Sequence, residues 1–88
     1  MDFRISSDLE KELKRIKTRD FHLLQQIQKQ LLLFKQDHTH PSLRIHKLSG
    51  NLKNLWSISI DRNIRMLFII DDEEALFFDI GTHNQVYR

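Results

Sequence analysis

The chain contains no cysteine, which rules out a disulfide framework and a thiolate metal site and fits a reducing, cytoplasmic setting. Its only glycines are Gly50 and Gly81. There is therefore no glycine-rich phosphate loop, and neither HExxH nor a nucleophile elbow occurs. The longest apolar runs, LLLF (31–34) and MLFII (66–70), are far too short to span a membrane, so no membrane association is expected. The opening stretch, MDFRISSDLEKELKR, is charged and amphipathic, unlike a secretory signal.

What remains is one globular domain over residues 1–88, because a chain of 88 residues cannot build two cores and 40% of them are apolar. The net charge is only +2, but it is unevenly spread. Lys35, Arg44, Lys47, Lys53, Arg62 and Arg65 fall in one window opposed by Asp37 and Asp61, with His38, His40 and His46 among them. Asp71, Asp72, Glu73, Glu74 and Asp79 follow. A basic middle points to an anionic partner, nucleic acid first, although an ordinary solvated sheet face would look the same.

Periodicity gives the fold class. DFRIS (2–6) alternates as a short strand, and Ser7 opens SDLE, a capping box, before a helix with Leu9, Leu13 and Ile16 on one stripe that ends near Thr18. A second helix is expected from about Asp20 to Gln36, with Phe21, Leu24, Ile27, Leu31 and Phe34 inward and Gln25, Gln28 and Lys29 outward. HTHP (38–41) ends it. Strands are expected at 43–48, 56–61, 64–70 and 75–80, with turns at Ser49-Gly50, Arg62-Asn63 and the acidic DDEE, a solubilising hairpin tip. Strands 64–70 and 75–80 are apolar on both faces, as in the middle of a sheet partly covered on both sides. The order is β-α-α-β-β-β-β, an α+β domain with a helical hairpin on a small antiparallel sheet.

Four chemistries are open to these residues. His38, His40, His46 and His83 lack an acidic co-ligand at helical spacing, so exposed loop histidines describe them better than a metal site. Ser57 and Ser59 alternate on a strand without a nucleophile signature, as small polar residues on a sheet face do. Acid–base cleavage of RNA needs a base for the 2′-OH, an acid for the 5′-oxygen and fixed cations, and no metal if side chains supply all three. His46, His83, Arg65, Lys47 and Tyr87 offer those groups. Arg65 is the most informative, since a guanidinium inside IRMLFII needs either an anion or a route to water at the sheet rim. A binding module without chemistry is the fourth reading, and local physics does not separate it from the third.

HKLSGNLKNLW (46–56), SISIDRNIRMLFII (57–70) and IGTHNQVY (80–87), read together, resemble the RelE/ParE superfamily of toxin–antitoxin toxins, most closely its RelE and YafQ branch of ribosome-dependent mRNA endonucleases. The resemblance implies a RelE-like fold and an enzyme without cofactor that inhibits translation. The toxin would enter the ribosomal A site and cut mRNA to a 2′,3′-cyclic phosphate. It implies catalytic roles for four residues: His46 in removing the 2′-OH proton, Arg65 at the phosphate, His83 as general acid and Tyr87 stacking on a base. Lys47 and Lys53 fall where the family places basic residues, and Arg44 and Arg62 are candidate RNA contacts beside them. A cognate antitoxin would wrap the domain, cover the basic face and displace or occlude the tail. The pattern departs from YafQ-like members at Ser59, where a further histidine is expected, and at Asn63-Ile64, where they carry Asp-Trp. The superfamily also contains ParE, which inhibits gyrase and cleaves nothing. The paired histidines and terminal tyrosine favour the nuclease branch.

Overall fold

Two amphipathic helices lie on one face of a five-stranded sheet. The computed structural model describes residues 1–48 and 54–86, so the Ser49-Gly50 turn, Lys53 and Tyr87 lie outside the described residues. Helix α1 (Ser7–Arg19) starts one residue earlier in its capping than the SDLE pattern implies. Ser6, not Ser7, is the N-cap, and its Oγ accepts the Leu9 N–H at 3.1 Å. Asp20 then closes α1 with its backbone N–H and opens α2 (Phe21–Gln36) with its carboxylate, which accepts from the Leu23 N–H. One residue thus serves two helix ends, which is why the hairpin needs almost no linker.

Strands β1 (Phe3–Ile5), β2 (His46–Lys47), β3 (Leu55–Ser59), β4 (Ile64–Asp71) and β5 (Glu74–Thr82) assemble in the order β1-β5-β4-β3-β2. The sheet is mixed: β1 runs parallel to β5, against the all-antiparallel expectation, while the other three pairs are antiparallel. The strand expected over 43–48 shrinks to two residues. Pro41–Leu43 coil into a 3-10 turn capped by the His40 ring, and Arg44 follows in the left-handed region at φ 45°. Leu43 points inward as a fully buried plug, so the apparent alternation there belongs to no strand.

Facing the helices, Phe3, Ile5, Ile58, Ile60, Met66, Phe68, Ala75 and Phe77 meet Leu9, Ile16, Leu24, Ile27, Leu31 and Phe34. Phe34, Phe68 and Phe77 form an aromatic centre with ring centroids 4.9–5.3 Å apart. Phe21, expected inside, is 56% exposed at the first turn of α2. Leu55, Leu67, Ile69 and Leu76 lie on the opposite face and outside that core, so the helices cover only one side. In β5, Phe78 is an extra residue that bulges the ladder beside Leu67 and Phe68. The β4–β5 turn is a tight two-residue hairpin with φ of 53° at Asp72 and 66° at Glu73. Arg4 of β1 straps its base by pairing with Asp71 at 2.7 Å and with Glu74. Among the described residues, no helix is long and apolar enough to cross a membrane.

Candidate functional site

Strand alternation decides which side chains meet on the face turned away from the helices. Ser57 pairs with Leu67, and Arg65, two residues along β4, pairs with Ser59 and with Gly81. His46 is opposite Ser57 on β2. His46, Ser57, Ser59 and Arg65 therefore share one face. Lys47 alternates to the other face, where its ammonium lies 5.7 Å from the Trp56 ring centre. It is not brought together with His46 and Arg65.

Arg65 is half-buried and held at both ends of its fork. Its Nε and Nη2 donate to Ser57 Oγ at 3.2 and 3.1 Å, and Nη2 also donates to the Arg44 carbonyl at 2.9 Å. Those bonds satisfy part of a guanidinium that would otherwise be costly inside an apolar strand. The left-handed backbone at Arg44, costing about 1–2 kcal/mol for a non-glycine residue, aims its carbonyl back at the guanidinium. Ser57 is fully buried. It reads as a sheet-face filler in sequence and serves as the seat of Arg65 in the fold.

His83 sits just beyond β5, at the start of a helical turn, α3 (His83–Val86), where the sequence reads as a strand end followed by polar residues. Thr82 and Gln85 form a reciprocal capping box: the Thr82 N–H donates to Gln85 Oε1 at 2.8 Å, and the Gln85 N–H donates to Thr82 Oγ1 at 3.3 Å. The signal was present as T-H-N-Q. Glycine at position 81 lets this fold-back sit close, since a Cβ there would come within 2.8 Å of Gln85 Oε1 and 3.2 Å of Val86 Cγ1, and one of them would have to shift. His83 follows Arg65's cross-strand partner, Gly81, by two residues. It lines a cleft with Arg62, Asn63 and Thr82.

A second cleft opens where β2 leaves the sheet, lined by Lys29, Arg44, Arg62 and Arg65 with Asp61. Its floor is two glutamines of α2. Gln30 Nε2 donates to the Ser59 carbonyl at 2.9 Å and Gln26 Nε2 to the Ile60 carbonyl at 3.2 Å, satisfying the edge of β3 that β2 leaves bare. Helical periodicity turns Lys29 outward, and nothing local in the sequence marks Gln26 or Gln30 for this role. Arg62 lines both clefts.

His38 packs edge-on against Phe34 and His40 caps the Pro41 turn, so both serve local structure. Among the described residues no three His, Asp or Glu side chains converge as a metal would require. Asp37, just before them in the chain, has its carboxyl held below the usual range, first by the Thr39 hydroxyl at 2.7 Å and then by the Thr39 N–H.

Two helices on one face of a mixed five-stranded sheet, with Arg65 seated on the other, is the arrangement of RelE-like toxin structures. The sequence model described as "Bacterial toxin of type II toxin-antitoxin system, YafQ" matches residues 1–88, and the chain belongs to that family. Solved structures share its fold at low identity. The YoeB/ParE toxin from Agrobacterium tumefaciens superposes with a TM-score of 0.77 at 13% identity, over 94% of this chain and 99% of that one. The YoeB–YefM complex from Staphylococcus aureus gives 0.74 at 17% identity, covering 94% and 97%. The E. coli DinJ–YafQ complex gives 0.68 at 19% identity, covering 99% and 98%. No curated protein matches the chain in sequence.

Proposed function

We propose that this toxin is a ribosome-dependent mRNA endonuclease. The observation that carries the reading is Arg65, immobilised on the open sheet face by Ser57 and the Arg44 carbonyl, with His46 on one side across β3 and the capped His83 on the other across β5. A fixed guanidinium between two imidazoles suits a reaction in which charge develops on non-bridging phosphate oxygens. The mRNA 2′-oxygen attacks phosphorus and loses its proton to His46. The bond from phosphorus to the 5′-oxygen breaks, and His83 gives that oxygen a proton. The products are a 2′,3′-cyclic phosphate and a free 5′-hydroxyl. All the groups in this scheme are side chains of the protein. Arg44 and Arg62 border the same face and contact the RNA backbone, whereas Lys47 acts from the other side of the sheet. Tyr87 stacks on a base, worth about 1–3 kcal/mol as on other aromatic platforms, and Lys53 adds positive charge.

The partner is a cognate antitoxin that covers this face in the resting cell. Two of the structures sharing the fold are complexes of that kind, YoeB–YefM and DinJ–YafQ. The test is controlled expression without an antitoxin, scoring growth and the integrity of a translated reporter mRNA. Arrested growth with cut mRNA is expected. Filamenting cells with broken DNA and intact mRNA would make the protein a gyrase inhibitor instead.

A further inference from the structure

The cleft at the bare edge of β3 is larger than the scheme above needs. At about 350 Å³ it has room for a phosphate and its waters, a single water taking ~30 Å³. We propose that it is a second phosphate seat, in which Lys29 of α2, with Arg62, holds a backbone phosphate flanking the scissile one. The inference deepens the endonuclease reading and rests on RNA lying across the open face.

Charge supports an anion here. Four cations, Lys29, Arg44, Arg62 and Arg65, line the cleft against one acid. That acid, Asp61, already accepts the N–H groups of Asn63 and Ile64 through Oδ1, both at 2.8 Å. The bare edge of a strand would present carbonyl oxygens that repel an anion, but Gln26 and Gln30 have covered the two that face this cleft. Continuity supplies the direction of the chain. Arg62 borders both this cleft and the one holding His83, so a strand passing His83 and Arg65 meets Lys29 next without leaving positive surface. Chemistry limits what is held. The lining has no aromatic platform and is dominated by cations, so the contact grips the backbone and positions RNA without reading its sequence.

The test measures binding to a short, fully 2′-O-methylated single-stranded RNA, which lacks the attacking hydroxyl and cannot be cut. Affinity is followed across about 50–200 mM NaCl for wild type, Lys29→Ala, Lys29→Arg and Lys14→Ala, a control on the outer face of α1. Removing one phosphate contact from a single strand makes the slope of log K against log salt shallower by about 0.7. That change is expected for Lys29→Ala alone, with Lys29→Arg keeping the wild-type slope. A Lys29→Ala slope equal to wild type, even with weakened binding of an acidic antitoxin segment, overturns the proposal, as does a wild-type protein that does not bind the RNA. Cleavage is scored separately in a translation reaction. A protein that cuts mRNA but whose slope ignores Lys29 loses the seat alone. A protein that cuts nothing yet shows the shift keeps the seat and loses the endonuclease.

Discussion

Replacing Gln85 with alanine should loosen the tail without touching the core. A four-residue helix has no stability of its own, since isolated helices shorter than about 12–15 residues are marginal. Among the described residues, the box between Thr82 and Gln85 and the close seat on Gly81 hold α3 in place. Gln85→Ala removes the acceptor of the Thr82 N–H. A net hydrogen bond of about 1 kcal/mol corresponds to roughly a fivefold change in an opening equilibrium. Amide hydrogen exchange, followed residue by residue in NMR, reads this directly. The Thr82 amide should exchange about fivefold faster in Gln85→Ala, while amides deep in β4, such as Phe68, keep their protection. Gln85→Glu retains the acceptor and should restore the wild-type rate. Because His83 is the first residue of α3, mRNA cleavage by Gln85→Ala should fall by a similar factor. An unchanged Thr82 exchange rate would mean that something other than the capping box orders the tail, and the argument for a pre-positioned His83 would fail.

Two further outcomes follow from other parts of the fold. Asp72 and Glu73 occupy left-handed backbone that neither prefers, so Asp72→Asn with Glu73→Gly, the favoured pair for such a hairpin, should raise stability by roughly 1–2 kcal/mol. Urea unfolding should show a higher midpoint with an unchanged m-value, and a lower midpoint would contradict the turn assignment. Asp37 has a depressed folded pKa, so its contribution to stability is present above its unfolded value of 3.8 and is lost only as pH falls through the lower folded value. Thr39→Val removes the leading cause. In a side-chain NMR titration, the Asp37 midpoint should move up toward 3.8, and a midpoint that stays put would assign the shift to something other than Thr39.

The parts of this fold that were legible in sequence are those set by local periodicity. The stripes of α1 and α2 and the alternation of β3 are one-dimensional patterns that survive folding because each element buries a single face. The parallel pairing of β1 with β5 joins residues more than seventy positions apart, and nothing local encodes its direction. Residues 43–48 alternated convincingly, yet Pro41 and the left-handed Arg44 spend most of them on a turn. The tail reads in sequence as a strand end followed by polar residues, whereas the T-H-N-Q box that orders it is itself polar. For the site, Arg65 was conspicuous in sequence because a charge in an apolar strand demands a reason. The reason, Ser57, was not conspicuous, since a serine becomes a guanidinium's seat only through the register of β3 on β4. Lys29 was hidden likewise: helical phase set it outward, and only the early departure of β2 exposes a cleft beside it.

The central claim is that His83 and Arg65 act on one phosphate. It is tested most directly in a reconstituted translation reaction programmed with a defined mRNA. Wild type, His83→Ala and Arg65→Ala are compared after circular dichroism confirms that each is folded, and the ends of any fragments are characterised chemically. The expected result is wild-type cleavage that leaves a 2′,3′-cyclic phosphate and a 5′-hydroxyl, with a loss of at least about 100-fold in either variant, in line with general acid–base and electrostatic contributions. Cleavage at the wild-type rate by folded His83→Ala, or fragments ending in a 5′-phosphate, would contradict it.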